Sequence, residues 1–131
     1  MDSTLELVLG LLLVFQIKHF VADYLLQNAY MLGKFKKQGW FGPLLAHTSM
    51  HGVVTLIIAL VYGLEPHQAL FLGALDMVIH SVIDKIKADF SARYDKNKDK
   101  QFWWWLGGDQ MAHHLTHYLI ILIISTEVLI G

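Results

Sequence analysis

The chain has 131 residues, 55% of them hydrophobic, and a formal net charge of −1, with a mean hydropathy of +0.46. It is too short for two soluble domains and too apolar for an ordinary one, so length and composition point to a single membrane-embedded domain over residues 1–131. With no cysteine in the sequence, disulfide and thiolate chemistry are excluded and any metal must be held by nitrogen and oxygen; with no long basic tract, nucleic acid is not an expected partner.

Four windows satisfy the roughly 20 apolar residues that a span needs. The first, about 4–30, could be mistaken for a secretory signal. It begins with the acids Asp2 and Glu6 rather than a basic region, and its far end carries Lys18, His19 and Asp23. It therefore reads as a mature span. Gly39, Gly42 and Pro43 open the second window, about 43–63, and Glu65 and Pro66 precede the third, about 67–87. Gly107 and Gly108 lie near the start of the fourth, about 104–130. The short connections predict antiparallel neighbours, hence an all-α, integral-membrane four-helix bundle.

Lys34, Lys36 and Lys37 lie in the first connection, and Lys85, Lys87, Arg93, Lys96, Lys98 and Lys100 lie at or in the third. The second connection and both termini have none. The positive-inside rule then puts loops 31–42 and 88–103 in the cytoplasm and both the N and C termini on the outer side, with Trp40, Phe41 and Phe102–Trp105 as an aromatic belt. The lipid bilayer is the expected partner. Gly10, Gly63 and Gly73 would allow close helix approach, including in a homo-oligomer, although they form no small-xxx-small pair.

Seven of the eight histidines fall well inside these windows, and His67 stands at the outer edge of the third. An ionisable group in hydrocarbon costs several kcal/mol unless it is paired, ligated or facing water. Residues four apart share a helix face, so His19/Asp23, His47/His51, His80/Asp84 and Asp109/His113/His117 each stack. They all lie in the halves of the windows nearest the cytoplasmic loops. The opposite halves, Leu5–Phe15, Leu56–Val61, Ala69–Leu75 and Tyr118–Ile124, are almost wholly apolar, so no polar track is expected to continue outward. Of the remaining polar residues, Lys18 is expected to snorkel. Asp76 reads equally as a structural acid or a ligand, and His114 as a packing neighbour.

Helical bundles that bind metals in their cores use carboxylates and histidines at this spacing. The candidate ligands are His19, Asp23, His47, His51, His80, Asp84, Asp109, His113 and His117. That is more than one tetrahedral site can use, so one or two divalent ions are expected, zinc first and manganese or iron as alternatives. Asp109, Asp84 and Gln110 are the candidate catalytic residues, an aspartate not bound to metal serving as general base. Gln27, Lys34 and Lys87 are the candidate substrate-binding residues, the lysines suiting a phosphate or other anion.

The strings His19-x-x-x-Asp23-x-x-x-Gln27, Leu45-Ala46-His47 with His51, His80-x-x-x-Asp84-x-x-Lys87 and Asp109-Gln110-x-x-His113 resemble the signature of a family of small bacterial and phage integral-membrane proteins catalogued as domain of unknown function 3307. The resemblance covers nearly the whole chain. It implies a four-helix membrane fold in the bacterial inner membrane and supplies no activity. His114 and His117 lie outside the pattern, so His117 stands as a candidate on spacing alone. The style of the site is also similar, by analogy only, to that of membrane-bound metal-dependent hydrolases.

The leading functional expectation is a metal-dependent hydrolase whose His/Asp site opens to the cytoplasm and acts on a membrane-associated or phosphate-containing substrate. A metal or proton transporter or relay is the second expectation, weakened by the apolar outer halves. Haem-based electron transfer fits poorly with so many aspartates. An accessory membrane protein with a structural polar core completes the set.

Overall fold

In the computed structural model, which describes residues 3–131, the chain is all-helical: α1 spans Ser3–Phe20, α2 Phe41–Val61, α3 Pro66–Ser91 and α4 Lys100–Ile130. No strand occurs among the described residues. Asp2, one of the acids that open the first window, lies outside them. Three helical stretches, Ser3–Leu25, Phe41–Val61 and Lys100–Ile130, are long and apolar enough to cross a membrane. The third helix does not qualify, because Asp76, His80, Asp84, Lys85 and Lys87 interrupt its apolar run.

The first helix ends earlier than the window 4–30 predicts. α1 passes into a π-helical turn, Val21–Leu25, closed by the bond from Leu26 N–H to the Val21 carbonyl at 2.9 Å. A wider turn of this kind, inserted in an α-helix, occurs frequently at functional sites, and Asp23 sits inside it. The chain then turns at Asn28, whose Oδ1 accepts the Met31 N–H at 3.0 Å. A 3₁₀ helix, Met31–Phe35, follows and packs on α2 and α3. Gly33 permits this packing, since a Cβ there would stand 2.9 Å from Pro43 Cγ.

α2 and α3 form the most extensive helix pair. They meet where Gly52 faces Gly73, and a Cβ on either would stand 2.7 Å from the other's carbonyl oxygen. Gly73 therefore serves close approach within the chain. Gly63, at φ +91°, makes the tight turn into α3, where Pro66 occupies the first turn and Gln68 Oε1 accepts the Glu65 N–H at 3.0 Å. α3 runs on to Ser91, beyond the expected end near 87. α4 begins at Lys100 rather than near Trp104, and Gly107 and Gly108 lie inside it without breaking it.

The packing places polar residues inside and apolar ones outside. Leu13, Val61, Leu70 and Leu122 are 63%, 77%, 62% and 62% exposed, whereas His47, Thr48, His51 and Thr55 are 0% exposed. At the end that carries both termini, the interior is apolar, built on Leu11, Phe15, Ile58, Leu72, Ile120 and Ile124.

Candidate metal centre

Every helix contributes to one buried cluster at the opposite end. The π-helical turn brings Asp23 to α2, so that Asp23 Oδ1 accepts a hydrogen bond from His51 Nε2 at 2.9 Å and stands 3.3 Å from His47 Nε2 and 3.9 Å from His80 Nε2. Asp84, one helix over, lies 3.4 Å from His47 Nε2, 3.8 Å from His80 Nε2 and 3.3 Å from His113 Nε2. The i, i+4 pairs meet as the spacing predicts: His19 Nε2 is 3.3 Å from Asp23 Oδ2, and His113 Nε2 is 3.4 Å from Asp109 Oδ1. Imidazoles from three helices meet across the centre in tilted contacts, His51 with His80 at 3.7 Å between centroids and His80 with His113 at 3.9 Å.

His47 and His80 give the cluster its chemical character. Both are buried, and neither ring nitrogen of either makes a hydrogen bond, although both aspartates are nearby. Buried polar groups of this kind are nearly always satisfied. A hydrogen bond draws its partners to 2.7–3.2 Å, whereas ligands about 2.1 Å from a shared tetrahedral ion stand about 3.4 Å from one another. The 3.3 Å between His47 Nε2 and Asp23 Oδ1 is of the second kind. Two groups are compatible with holding a metal ion: Asp23, His47, His51 and His80, and, sharing His80, the trio His80, Asp84 and His113.

Other predicted ligands lie around these groups. His19 Nε2 donates to Gln110 Oε1 at 3.1 Å, and Gln110 Nε2 donates to Asp109 Oδ2 at 3.0 Å. Asp109 belongs to neither group. His117 is buried against Phe15 and His19 with both ring nitrogens unpaired, and it too stands apart from them. His114 is half-buried at the edge, where Gln16 Nε2 donates to its Nδ1 at 3.1 Å.

The candidate substrate-binding residues line one cavity of about 130 Å³, walled by Asp23, Gln27, Lys34, Asp84, Lys87, Asp109 and Gln110. Lys34 lies deeper than a loop lysine should. The 3₁₀ helix buries it against Asp84, while Lys87 Nζ stays partly exposed, 3.6 Å from Asp109 Oδ2. The Lys34 and Lys87 ammoniums lie 5.5 and 5.4 Å from the Phe35 ring centroid, so both cations flank one aromatic.

The sequence reading is corrected at Lys18, and at Asp76 the contacts are those of its structural alternative. Lys18 does not snorkel: it is 5% exposed, ion-paired with Asp76 and donates to Thr55 Oγ1 at 2.8 Å, while the Thr55 hydroxyl donates to Asp76 Oδ2 at 2.6 Å. Lys18 had an inward alternative because Asp76 lies on the facing surface of α3, and only the three-dimensional pairing reveals that. The polar interior thus reaches one layer deeper than the histidine pairs, and apolar packing begins below it.

A family model described as "Protein of unknown function (DUF3307)" matches residues 11–130. Comparison with curated proteins and with solved structures gave no match.

Proposed function

Because the chain belongs to the DUF3307 family, whose description assigns no activity, we propose its function from the site itself: a membrane-embedded, metal-dependent hydrolase acting on phosphoesters. The observation that carries this reading is the convergence of Asp23, His47, His51 and His80 from three elements, with the nitrogens of His47 and His80 making no hydrogen bond. The bundle crosses the bilayer four times. α3 joins the other spans because its polar residues face inward while Leu70, Phe71, Val78 and Val82 face out. The lysine-rich connections support an orientation with the polar end at the cytoplasm and both termini outside, in a bacterial inner membrane.

Asp23, His47 and His51 are the principal ligands. His80 is the fourth, and Asp84 and His113 form a flanking group able to take a second ion. Zinc suits this nitrogen-rich set best. When bound, the metal supplies Lewis acidity and a water of lowered pKa. The remaining residues bind and move protons. Asp109 Oδ1 accepts no hydrogen bond and takes the proton of the attacking water, while Gln110 fixes the other oxygen at 3.0 Å. Lys34, Lys87 and Gln27 hold the anionic group at the mouth. The water oxygen bonds to phosphorus as the ester P–O bond breaks, and the proton held on Asp109 passes to the leaving oxygen, so one water is consumed for each ester cleaved.

The reading is tested by measuring the metal content of the purified protein beside a His47→Ala/His51→Ala variant, with turnover assayed on an aryl phosphate. One or two equivalents of metal lost in the variant, with metal-dependent turnover in the native chain, are the expected results. A native protein without stoichiometric metal sinks the proposal.

A further inference from the structure

Beside the polar cavity, between α3 and α4, lies a second hollow of about 240 Å³, lined by Ile83, Ile86, Trp105, Gly108 and Ala112 together with Lys87 and Asp109. Its apolar residues are on the outer surface of the bundle, where Ile86 is 45% exposed. Trp105 is held as one wall by stacking on Phe90, at 4.6 Å and 22°. Gly108 leaves the groove open, with no atom within 4 Å of where its Cβ would be. Charges at the end of an apolar groove are costly where their pairing is loose, and Lys87 and Asp109 meet here only at 3.6 Å. Lys87 and Asp109 line both hollows, so the groove and the polar cavity share one wall.

We infer that this groove is a lateral entry for a bilayer lipid with a terminal phosphate, its chain lying between α3 and α4 and its headgroup at Lys87 and Lys34. The inference rests on the phosphoester reading above and specifies its substrate class. Three observations select this occupant. The groove is apolar up to the point where it reaches charge. Lys87 stands at its inner end and Lys34, paired with Asp84, lies just beyond it in the polar cavity, both beside Phe35, and ammoniums so placed complement a phosphate. The polar cavity, at about 130 Å³, has room for a headgroup and none for a chain, which must therefore remain in the groove. Lys87 is the hinge of the arrangement: partly exposed at 21% of its side chain and a loose 3.6 Å from Asp109, it can turn from the carboxylate to a phosphate without leaving a tight pair.

The test uses the full chain in detergent, native mass spectrometry to count bound lipid, and metal analysis of the same samples. The probes are dioleoyl phosphatidic acid, dioleoyl phosphatidylcholine and inorganic phosphate. The native protein should retain one phosphatidic acid, bind phosphatidylcholine more weakly and not exchange the lipid for inorganic phosphate. Gly108→Phe fills the groove and should weaken phosphatidic acid binding at least about tenfold. Lys87→Gln should weaken it roughly fivefold. Gly107→Phe, on the neighbouring helix position outside the groove and also without an atom within 4 Å, should bind as the native protein does. Metal content should be equal in all of them.

Unchanged lipid binding in Gly108→Phe overturns the groove, as does full competition by inorganic phosphate, which would make free phosphate the ligand. Lipid binding that follows the groove variants in a protein without metal overturns the hydrolase reading and leaves the lipid site standing. Absent lipid with metal present overturns the entry alone.

Discussion

At the end that carries the termini, the four helices meet through Leu11, Phe15, Ile58, Leu72, Ile120 and Ile124. At the other end the same helices meet through histidines, aspartates and lysines, all turned inward from an apolar exterior. If the bundle sits in a bilayer as proposed, apolar packing gains little from the hydrophobic effect because lipid is as apolar as leucine, and the first end is then held by close contact alone. The second end is held by charge and hydrogen bonding and is costly wherever a partner is missing. The same bundle is therefore tolerant at one end and exacting at the other, and the Lys18, Thr55 and Asp76 layer is the border between them.

The border should give the largest effect. Lys18→Met leaves Asp76 as a buried charge without its cation, and breaking one partner of such a pair costs about 3–5 kcal/mol. Thermal unfolding in detergent should show this loss, and Lys18→Met/Asp76→Leu should recover most of it, because removing both charges removes the burial cost. A double variant as unstable as the single one would mean that the pair is more than mutually compensating.

Next is the proposed metal centre. Asp23→Ala removes the carboxylate that reaches His51, His47 and His19 at 2.9, 3.3 and 3.3 Å. Metal affinity, read by titration against a chelator, should fall by more than about 100-fold, beyond the loss typical of an outer partner. Leu122→Ala, at an exposed position of the other half, should leave it unchanged.

A smaller effect is expected where the two ends are joined. Gly52→Ala puts a methyl 2.7 Å from the Gly73 carbonyl oxygen and 3.0 Å from Met77 Cβ, both on α3, so the helices must separate at a cost of about 1–3 kcal/mol. His51 is the adjacent residue, so metal binding should weaken with stability. Gly107→Ala, with nothing within 4 Å, should change neither.

Much of this was legible in the sequence because a four-residue spacing fixes a helix face. His19/Asp23, His47/His51, His80/Asp84 and Asp109/His113 needed only an α-helix to stack. The helical class and three of the apolar spans followed from run length and breakers. What could not be read depended on departures from the regular helix or on pairing between helices. The π-helical turn at Asp23 has no spacing signature, yet it ends the first helix before Tyr30 and lets a 3₁₀ helix carry Lys34 inward. Lys18 looked like a rim cation because its partner, Asp76, lies far along the chain. Gly107 and Gly108 looked like breakers, although a helix held by tertiary contacts absorbs the roughly 1 kcal/mol that each glycine costs. His117 and Asp109 share the spacing of the cluster and lie beside the two candidate ligand groups, since a shared face does not set how far a side chain reaches.

The finest probe of the contrast between the two ends is a neutral hydrogen bond at the level of the cluster. Ser81 Oγ donates to Thr48 Oγ1 at 2.8 Å and can also satisfy itself on the Met77 carbonyl at 2.8 Å, within its own helix. Thr48 is fully buried between α2 and α3. Interhelical bonds of this type in a membrane average about 0.6 kcal/mol, and Ser81→Ala should cost about that much in detergent unfolding, with metal content unchanged. Such a result would assign the exacting character of the polar end to its charges. A loss as large as that for Lys18→Met would instead mean that any unmet polar group at this depth is severe, and that the α2–α3 interface is set by hydrogen bonding as much as by the approach of Gly52 to Gly73.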